Sequence, residues 1–245
     1  MSSAPLPPGV SRPADPSGHI TAGAGVEAGR PADIAMSLAD DDPHPWPDAG
    51  PGVGPWEGPW PEDPRYDATL LAEGDRRNVV DCYRYWTVEA ITADLDATRG
   101  GLHVAVENWE HDFNIGSIVR TANAFGVAAV HIVGRRRWNR RGAMVTDRYQ
   151  HICHHPAAGD VVAWARETGI VLIGIDNVGR SRPLEGARLP ERCLMWFGSE
   201  RAGLSDEALD ACQDVLAITQ YGSTRSINAG AAAAIAMWAW AIQHR

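Results

Sequence analysis

From Leu102 to the C-terminus, short apolar runs alternate with segments of helical period, and that alternation leaves few folds open. Leu102–Val106, Ala128–Val133, Ile170–Ile175, Cys193–Phe197 and Val215–Ile218 read as buried strands. Between and after them lie Asn114–Phe125, with Ile118, Ala122 and Phe125 on one face, then residues 157–168, Ser205–Ala211 and Ser226–Gln243, all read as helices. Strands alternating with helices predict an α/β fold, a mainly parallel sheet with helices on both faces. Loops that follow the strands of such a sheet gather at one end, where ligands bind.

The chain before this region is different. Residues 1–62 are rich in Pro, Gly, Ala and Asp and show little periodic hydrophobicity, which predicts a disordered N-terminal tail. Trp46, Trp56 and Trp60 are its exceptions, side chains with enough apolar surface to dock elsewhere. Gly23, Gly25 and Gly29 follow no strand, so they are not a dinucleotide-binding loop. Residues 63–100 mix Tyr66, Leu70, Leu71, Val79, Val80, Tyr83, Tyr85 and Trp86 with charges, and Thr87–Thr98 reads as a helix. This stretch is too short for a separate domain and is expected to be a helical extension packed on a domain covering 101–245.

The net charge of −9 argues at first against a nucleic-acid partner, but it is unevenly spread. Residues 1–75 hold 13 acidic residues and 3 Arg, a charge of −10, whereas 76–245 hold 18 acidic residues and 19 Arg, a charge of +1. The domain is therefore near neutral with local basic patches, and local patches steer a polyanion. All 22 basic residues are Arg, which rules out a P-loop lysine. Cys82, Cys153, Cys193 and Cys212 form no CxxC pair. There is no basic, then apolar, leader pattern, and the longest apolar run, Ala229–Ile242, is 14 residues, short of a membrane span. These features predict a soluble, cytoplasmic protein.

Three polar, glycine-bearing segments follow apolar strands. The first, Glu107–Arg120, offers Asn114 as a helix cap, Gly116 for close approach and Arg120 within the helix. The second, Phe197–Ser205, has Gly198 directly after a strand, then Ser199, Glu200, Gly203 and the N-cap candidate Ser205; small residues there free backbone N–H groups for a ligand. The third, Ile218–Asn228, ends in Ser226 and Asn228 at the start of a helix whose AGAAAAIAM run lets another backbone approach closely. Taken singly, each is also explained as a cap or a tight strand-to-helix link.

Together they resemble the three motifs of the SpoU/TrmH branch of the SPOUT methyltransferases. The first motif is matched by Asn114, Gly116, Arg120-Thr121-Ala122 and Ala124-Phe125-Gly126. The second is matched by Gly198, Glu200, Gly203, Leu204 and Ser205, and the third by Ile218, Gly222, Ser226, Ile227 and Asn228. The resemblance implies a C-terminal trefoil knot, S-adenosylmethionine (AdoMet) bound among the knotted loops, and an active site formed across a homodimer. It implies that Gly198, Ile218 and Ile227 contact the cofactor, that Arg120 acts near the ribose 2′-hydroxyl and its phosphate, and that Asn114, Glu200, Ser226 and Asn228 shape the site. An arginine stays cationic, so Arg120 fits phosphate binding and electrostatic stabilisation better than proton abstraction. The sequence departs from the pattern at Thr219, where Pro is usual, at Arg201, where Gly is frequent, and at Ala229 and Gly230, where Val-Ser is frequent. The Thr219 change is expected to loosen the cofactor loop.

Arg135, Arg136, Arg137, Arg140, Arg141 and Arg148 cluster after the second strand, with Trp138 and Tyr149 among them. Cations interleaved with aromatics suit an RNA backbone and stacked bases. His151, Cys153, His154 and His155 match no zinc spacing, so no metal is expected, and His154 and His155 are read as surface residues. Trp238 and Trp240 cannot share a helix face, so one is expected in the core and the other on a surface, such as a dimer interface. The leading expectation is methyl transfer from AdoMet to a ribose 2′-hydroxyl of tRNA or rRNA. The alternative is a knotted RNA- or AdoMet-binding protein without catalysis. The absence of a G-x-G-x-x-G joining strand to helix argues against a nucleotide-dependent oxidoreductase.

Overall fold

The computed structural model describes residues 52–109 and 114–245. The tail reading for residues 1–51, with Trp46 and the tail glycines, lies outside the described residues, as does the 110–113 stretch of the first motif segment. The strands are β1 Leu102–Asn108, β2 Ala129–Gly134, β3 Ile152–His155, β4 Val171–Ile175, β5 Arg182–Pro183, β6 Cys193–Phe197 and β7 Asp214–Ala217. The α-helices are α1 Ala68–Glu73, α2 Val88–Asp96, α3 Ile115–Ala124, α4 Ala158–Thr168, α5 Asp206–Ala211 and α6 Ala229–His244.

The strands form one sheet in the order β3-β2-β1-β6-β4-β7-β5, and every pairing is parallel. The chain winds outward from β1 through β2 to β3, crosses to lay down β4, and later inserts β6 between β1 and β4. The winding direction therefore reverses around β6, which opens a crevice at the C-terminal ends of the central strands. Helices cover both faces. On one, α3 and α6 bury Ile118, Val119, Ala122, Ala233, Ala236, Met237 and Trp240 against Val104, Val106, Met195 and Phe197. On the other, α4 and α5 bury Val161, Ala165 and Ala208 against Ala105, Leu172, Leu194 and Trp196. Strands covered on both faces read as unbroken apolar runs, which is why β1, β6 and β4 were visible in the sequence. Burying each large apolar side chain contributes roughly 1.5–3 kcal/mol. Trp240 is fully buried and Trp238 is 54% exposed, the division expected for two residues on opposite faces of α6. No helix among the described residues is long and apolar enough to cross a membrane.

Ordered contacts begin earlier than residue 62. Val53 and Asp75 exchange backbone hydrogen bonds at 2.9 Å, and the Trp56 ring meets Tyr85 and Tyr66 edge-on at 5.3 and 5.9 Å. The organising group is Asp75, fully buried. It pairs with Arg77 at 2.7 Å and accepts the backbone N–H of Tyr85 at 2.9 Å, which holds Tyr85 at a positive φ of 63°. Burial pushes the Asp75 carboxyl up, but the Arg77 guanidinium and the backbone donors of Arg77 and Tyr85 outweigh it and keep it below its ordinary value. Arg99 ties α2 to the sheet domain through the carbonyls of Val127 and Tyr149, at 3.3 and 2.5 Å.

One edge of the sheet carries an unexpected polar row. The registers place His103 of β1, His131 of β2 and His155 of β3 on one diagonal of the α4 face. Their ring nitrogens meet at 3.1 Å (His103 Nδ1 to His131 Nε2) and 2.9 Å (His131 Nδ1 to His155 Nε2), and Trp164 of α4 packs over His131 at 4.3 Å. His155 therefore belongs to this row and His154 bonds the Gly134 carbonyl at 2.8 Å, a correction to reading both as surface residues. Burial, then the neighbouring imidazoles, pushes His131 down to about 3; burial, then Arg192, pushes His103 down to about 4. His155 is also lowered, by burial and His154, with Asp160 opposing. Lowered histidines leave the unfolded chain binding more protons, so stability is complete above the unfolded value of 6.5 and falls as pH drops toward 4. For His131, the most buried of the three, the expected loss approaches about 1.4 kcal/mol per pH unit, and solvent screening makes it smaller for His103 and His155. Urea denaturation midpoints between pH 7 and 4.5 test this, and a midpoint unchanged across that interval contradicts it.

Candidate functional site

A cavity of about 320 Å³ opens where the winding reverses, a size typical of small-molecule sites. Its walls come from the segments that leave β4, β6 and β7: Ile175–Asn177, Phe197–Gly203 and Ala217–Asn228. Local geometry explains why each segment holds its shape. Gly198 has no room for a side chain, because a Cβ there would stand 1.9 Å from the Gly203 carbonyl carbon. Ser199 and Gly203 exchange backbone hydrogen bonds at 2.9 and 3.0 Å, closing a turn that needs Gly203 at φ +71°. Asp176 braces that turn, its Oδ2 accepting the Leu204 N–H at 2.7 Å.

Ser205 caps α5 as the sequence suggested, accepting from Ala208 N at 3.3 Å, and it also donates to Glu107 Oε1 at 2.6 Å. Glu107 is buried at the end of β1, and its Oε2 accepts from Ser205 N and from Trp109 Nε1, both at 3.1 Å. Asn228 caps α6, its Oδ1 accepting from Ala231 N at 3.2 Å while its Nδ2 donates to Asn114 Oδ1 at 2.8 Å. Asn114 stands at the start of α3 but makes no cap bond there. It has helical backbone angles, φ −78° and ψ −18°, rather than extended ones, and its oxygen engages Asn228 instead. Gly230 lets this junction close: a Cβ would meet Ser117 Oγ at 3.2 Å.

Of the residues singled out in the sequence, Gly198, Ile218 and Ile227 line the cavity, together with Glu200, Ser226 and Asn228. Asn114 reaches it through Asn228. Arg120 does not line it, being exposed on α3 with no ion pair among the described residues. Ser226 lies ahead of α6 rather than within it. Sequence reading missed Asp176, Gln220 and Glu107. Asp176 follows β4 as directly as Gly198 follows β6, a positional signal passed over because the segment lacks a glycine-rich pattern. Gln220 lines the cavity, and its Oε1 is buried with no hydrogen-bond partner among the described residues.

The basic loop lies between β2 and β3. Asn108 Nδ2 fixes its start, donating to the carbonyls of Arg135 and Arg137 at 2.7 and 2.9 Å. The loop packs on the first turn of α3, where a Cβ on Gly116 would meet the Asn139 carbonyl at 2.8 Å. Arg135, Arg136, Arg137, Arg140, Arg141 and Arg148 are exposed; Arg140 stands over the Trp138 ring at 5.5 Å and 3.5 Å from Asp147. Tyr149 is only 4% exposed, which corrects its reading as a stacking residue: its ring belongs to the interior. No group of three His, Cys, Asp or Glu among the described residues could hold a metal ion. The three histidines of the sheet edge meet ring to ring rather than converging on a point.

Comparison with known proteins accords with this geometry. The chain is 29% identical over 143 residues to the tRNA (guanosine(18)-2′-O)-methyltransferase of Escherichia coli, covering 56% of this chain and 61% of that protein. It is 25% identical over 145 residues to the enzyme of the same name from Thermus thermophilus, covering 56% and 72%. The crystal structure of the SpoU methyltransferase AviRb from Streptomyces viridochromogenes in complex with the cofactor AdoMet matches with a TM-score of 0.54 and 27% identity, over 61% of this chain and 63% of that one. The chain thus spans about three-fifths of the length of the E. coli relative. The profile of the SpoU rRNA Methylase family matches residues 101–238, and the chain belongs to that family.

Proposed function

We propose that this protein transfers a methyl group from AdoMet to a ribose 2′-hydroxyl of tRNA or rRNA. The observation that carries the reading is the convergence of two segments singled out from sequence, Phe197–Ser205 and Ile218–Asn228, on one cavity at the winding reversal, with the first segment tied to it through the Asn114–Asn228 hydrogen bond. The cavity suits AdoMet chemically. Ile175, Phe197, Ile218 and Ile227 offer apolar surface for a purine, Asp176 and Glu200 offer carboxylates to a cationic ligand, and the Gln220 amide oxygen awaits a donor. When bound, AdoMet supplies an activated methyl group on a sulfonium leaving group. The residues of the chain then have positional tasks. Gly198, Ile218 and Ile227 hold the cofactor; Asn114 and Asn228, tied to each other, join the first and third segments; Glu200 and Ser226 complete the wall beside the acceptor. Arg120 binds the phosphate next to the target ribose. Calorimetric titration with AdoMet tests the cofactor part: one site per chain is expected, and no heat at millimolar AdoMet would contradict it.

Arg120 has no place in the cavity wall of its own chain, so the catalytic reading needs a second copy. The surface of α6 favours one. Ala231, Ile235, Trp238 and Ile242 recur at helical spacing and are all exposed, an apolar stripe on a helix that packs against the helix carrying Arg120. A homodimer on this stripe would let each copy lend Arg120 to the other's cavity. A C-terminal trefoil knot is part of the same proposal: β6 threads between β1 and β4, and α6 returns from β7 across to α3.

RNA would enter over the exposed arginines of the β2–β3 loop, and a location in the cytoplasm follows from such a substrate. The methyltransferase unit would span 101–245, with residues 63–100 an extension of it. Replacing Arg135, Arg136 and Arg137 together with Gln is expected to weaken RNA binding and to lower the slope of log K against log salt by about 2 to 3. Filter binding across 50–200 mM salt checks this, and an unchanged slope would send the RNA path elsewhere.

A further inference from the structure

Ile218–Asn228 supplies one wall of the cavity, yet it is neither helix nor strand. Thr219 stands near its start, at the position where the motif pattern has a proline. A proline ring fixes the backbone and carries no N–H. Thr219 has an N–H, and it is engaged: it donates to Glu185 Oε1 at 3.0 Å, while the Thr219 hydroxyl donates to Glu185 Oε2 at 2.9 Å.

The sheet places Glu185 for this contact. β5 runs in register beside β7, Arg182 against Leu216 and Pro183 against Ala217, and the Leu184 N–H donates to the Ala217 carbonyl at 2.8 Å. The Glu185 side chain then takes up Thr219 just where the backbone ladder ends. Its own backbone N–H, and after that the Thr219 donors, hold the Glu185 carboxyl below its ordinary value, so at neutral pH the acceptor is ionised. Toward its other end the segment is tied again, Asn177 Nδ2 donating to the Arg225 carbonyl at 3.1 Å.

We infer that Glu185 is a positioning residue for the cofactor: its paired hydrogen bonds to Thr219 fix the start of the cavity segment, and with it Ile218 and Gln220, as a proline ring otherwise would. This rests on reading the cavity as an AdoMet site. The consequence is that Thr219 does not loosen the segment, and that Glu185 and Thr219 work as a unit.

The test compares the parent chain with E185A, E185Q, T219P and the double variant E185A/T219P. It uses calorimetric AdoMet affinity, turnover at saturating AdoMet, and amide hydrogen exchange of the ligand-free protein. E185A is expected to weaken AdoMet binding roughly fivefold and to speed exchange of the Thr219 N–H, with kcat unchanged. E185Q keeps an acceptor without the charge and should fall between. In E185A/T219P the proline restores stiffness and leaves no N–H to satisfy, so affinity should return to within about twofold of the parent. Parent-like affinity in E185A, or a loss that T219P fails to rescue, overturns the inference. If the parent chain binds no AdoMet, the cofactor reading is what fails; exchange at Thr219 in ligand-free E185A still decides whether the pair holds the segment.

Discussion

Replacing Arg120 with alanine is expected to lower methyl transfer roughly 100- to 1000-fold, the cost typical of losing one preorganised charge at a reacting centre, while AdoMet still binds normally. The separation follows from where the residue sits. Arg120 is exposed on α3 and outside the cavity wall, so removing it leaves the cavity lining unchanged. It makes no ion pair among the described residues, so its loss also costs the fold little. R120K should recover only part of the activity, since an ammonium keeps the charge but not the planar fork that grips a phosphate. Single-turnover transfer with saturating RNA, beside AdoMet titration, separates the two effects. Near-parental turnover by R120A would remove Arg120 from the mechanism, and a parallel fall in AdoMet affinity would make it part of the cofactor site.

W238D is expected to convert a dimer to monomers, raising the dimer dissociation constant at least about 30-fold, and to abolish transfer with the fold intact. Trp238 is the largest side chain of the α6 stripe and is half exposed, so a carboxylate there meets water in the monomer but a desolvated apolar surface in the dimer. The neighbouring Trp240 is the control in the opposite sense: it is buried and its Nε1 donates to the Pro190 carbonyl at 3.0 Å, so W240D should unfold the chain rather than dissociate it. Sedimentation velocity at micromolar protein reads the first effect. Mixing R120A with a cavity variant such as N228A should restore transfer, because a mixed dimer carries one intact composite site. A parent chain that is monomeric and active, or a W238D protein with parental activity, would contradict the dimer.

The sequence disclosed the parts of the fold that depend on local pattern. β6 was read at its observed limits because both faces of that strand are buried and Cys193–Phe197 is uniformly apolar. Helix α5 announced itself through Ser205, a cap whose hydroxyl bonds the backbone locally. β3 was passed over, since Ile152–His155 is short, half polar and at the sheet edge, with an alternation too brief to register. The candidate site divided along the same line. Gly198, Ile218 and Ile227 lie in motifs with recognisable spacing, whereas Asp176 and Glu107 act through partners far along the chain, Leu204 and Ser205, that only the folded sheet brings to them. The reading of Asn114 as a cap shows the limit of local inference: the residue type and position were suited to capping, but a partner 114 residues away took its oxygen. Thr219 is a further case, a departure from the motif whose N–H and hydroxyl are both taken up by Glu185, a partner 34 residues away that no local pattern announces.

Methyl transfer to a ribose oxygen can be read directly. The protein would be incubated with methyl-labelled AdoMet and with total tRNA and total rRNA from cells lacking its gene, and the digested nucleosides separated by mass spectrometry. Label is expected on a ribose 2′-oxygen in one of the two RNA pools. Label on a base, or no transfer to either pool by a protein that binds AdoMet, would contradict it.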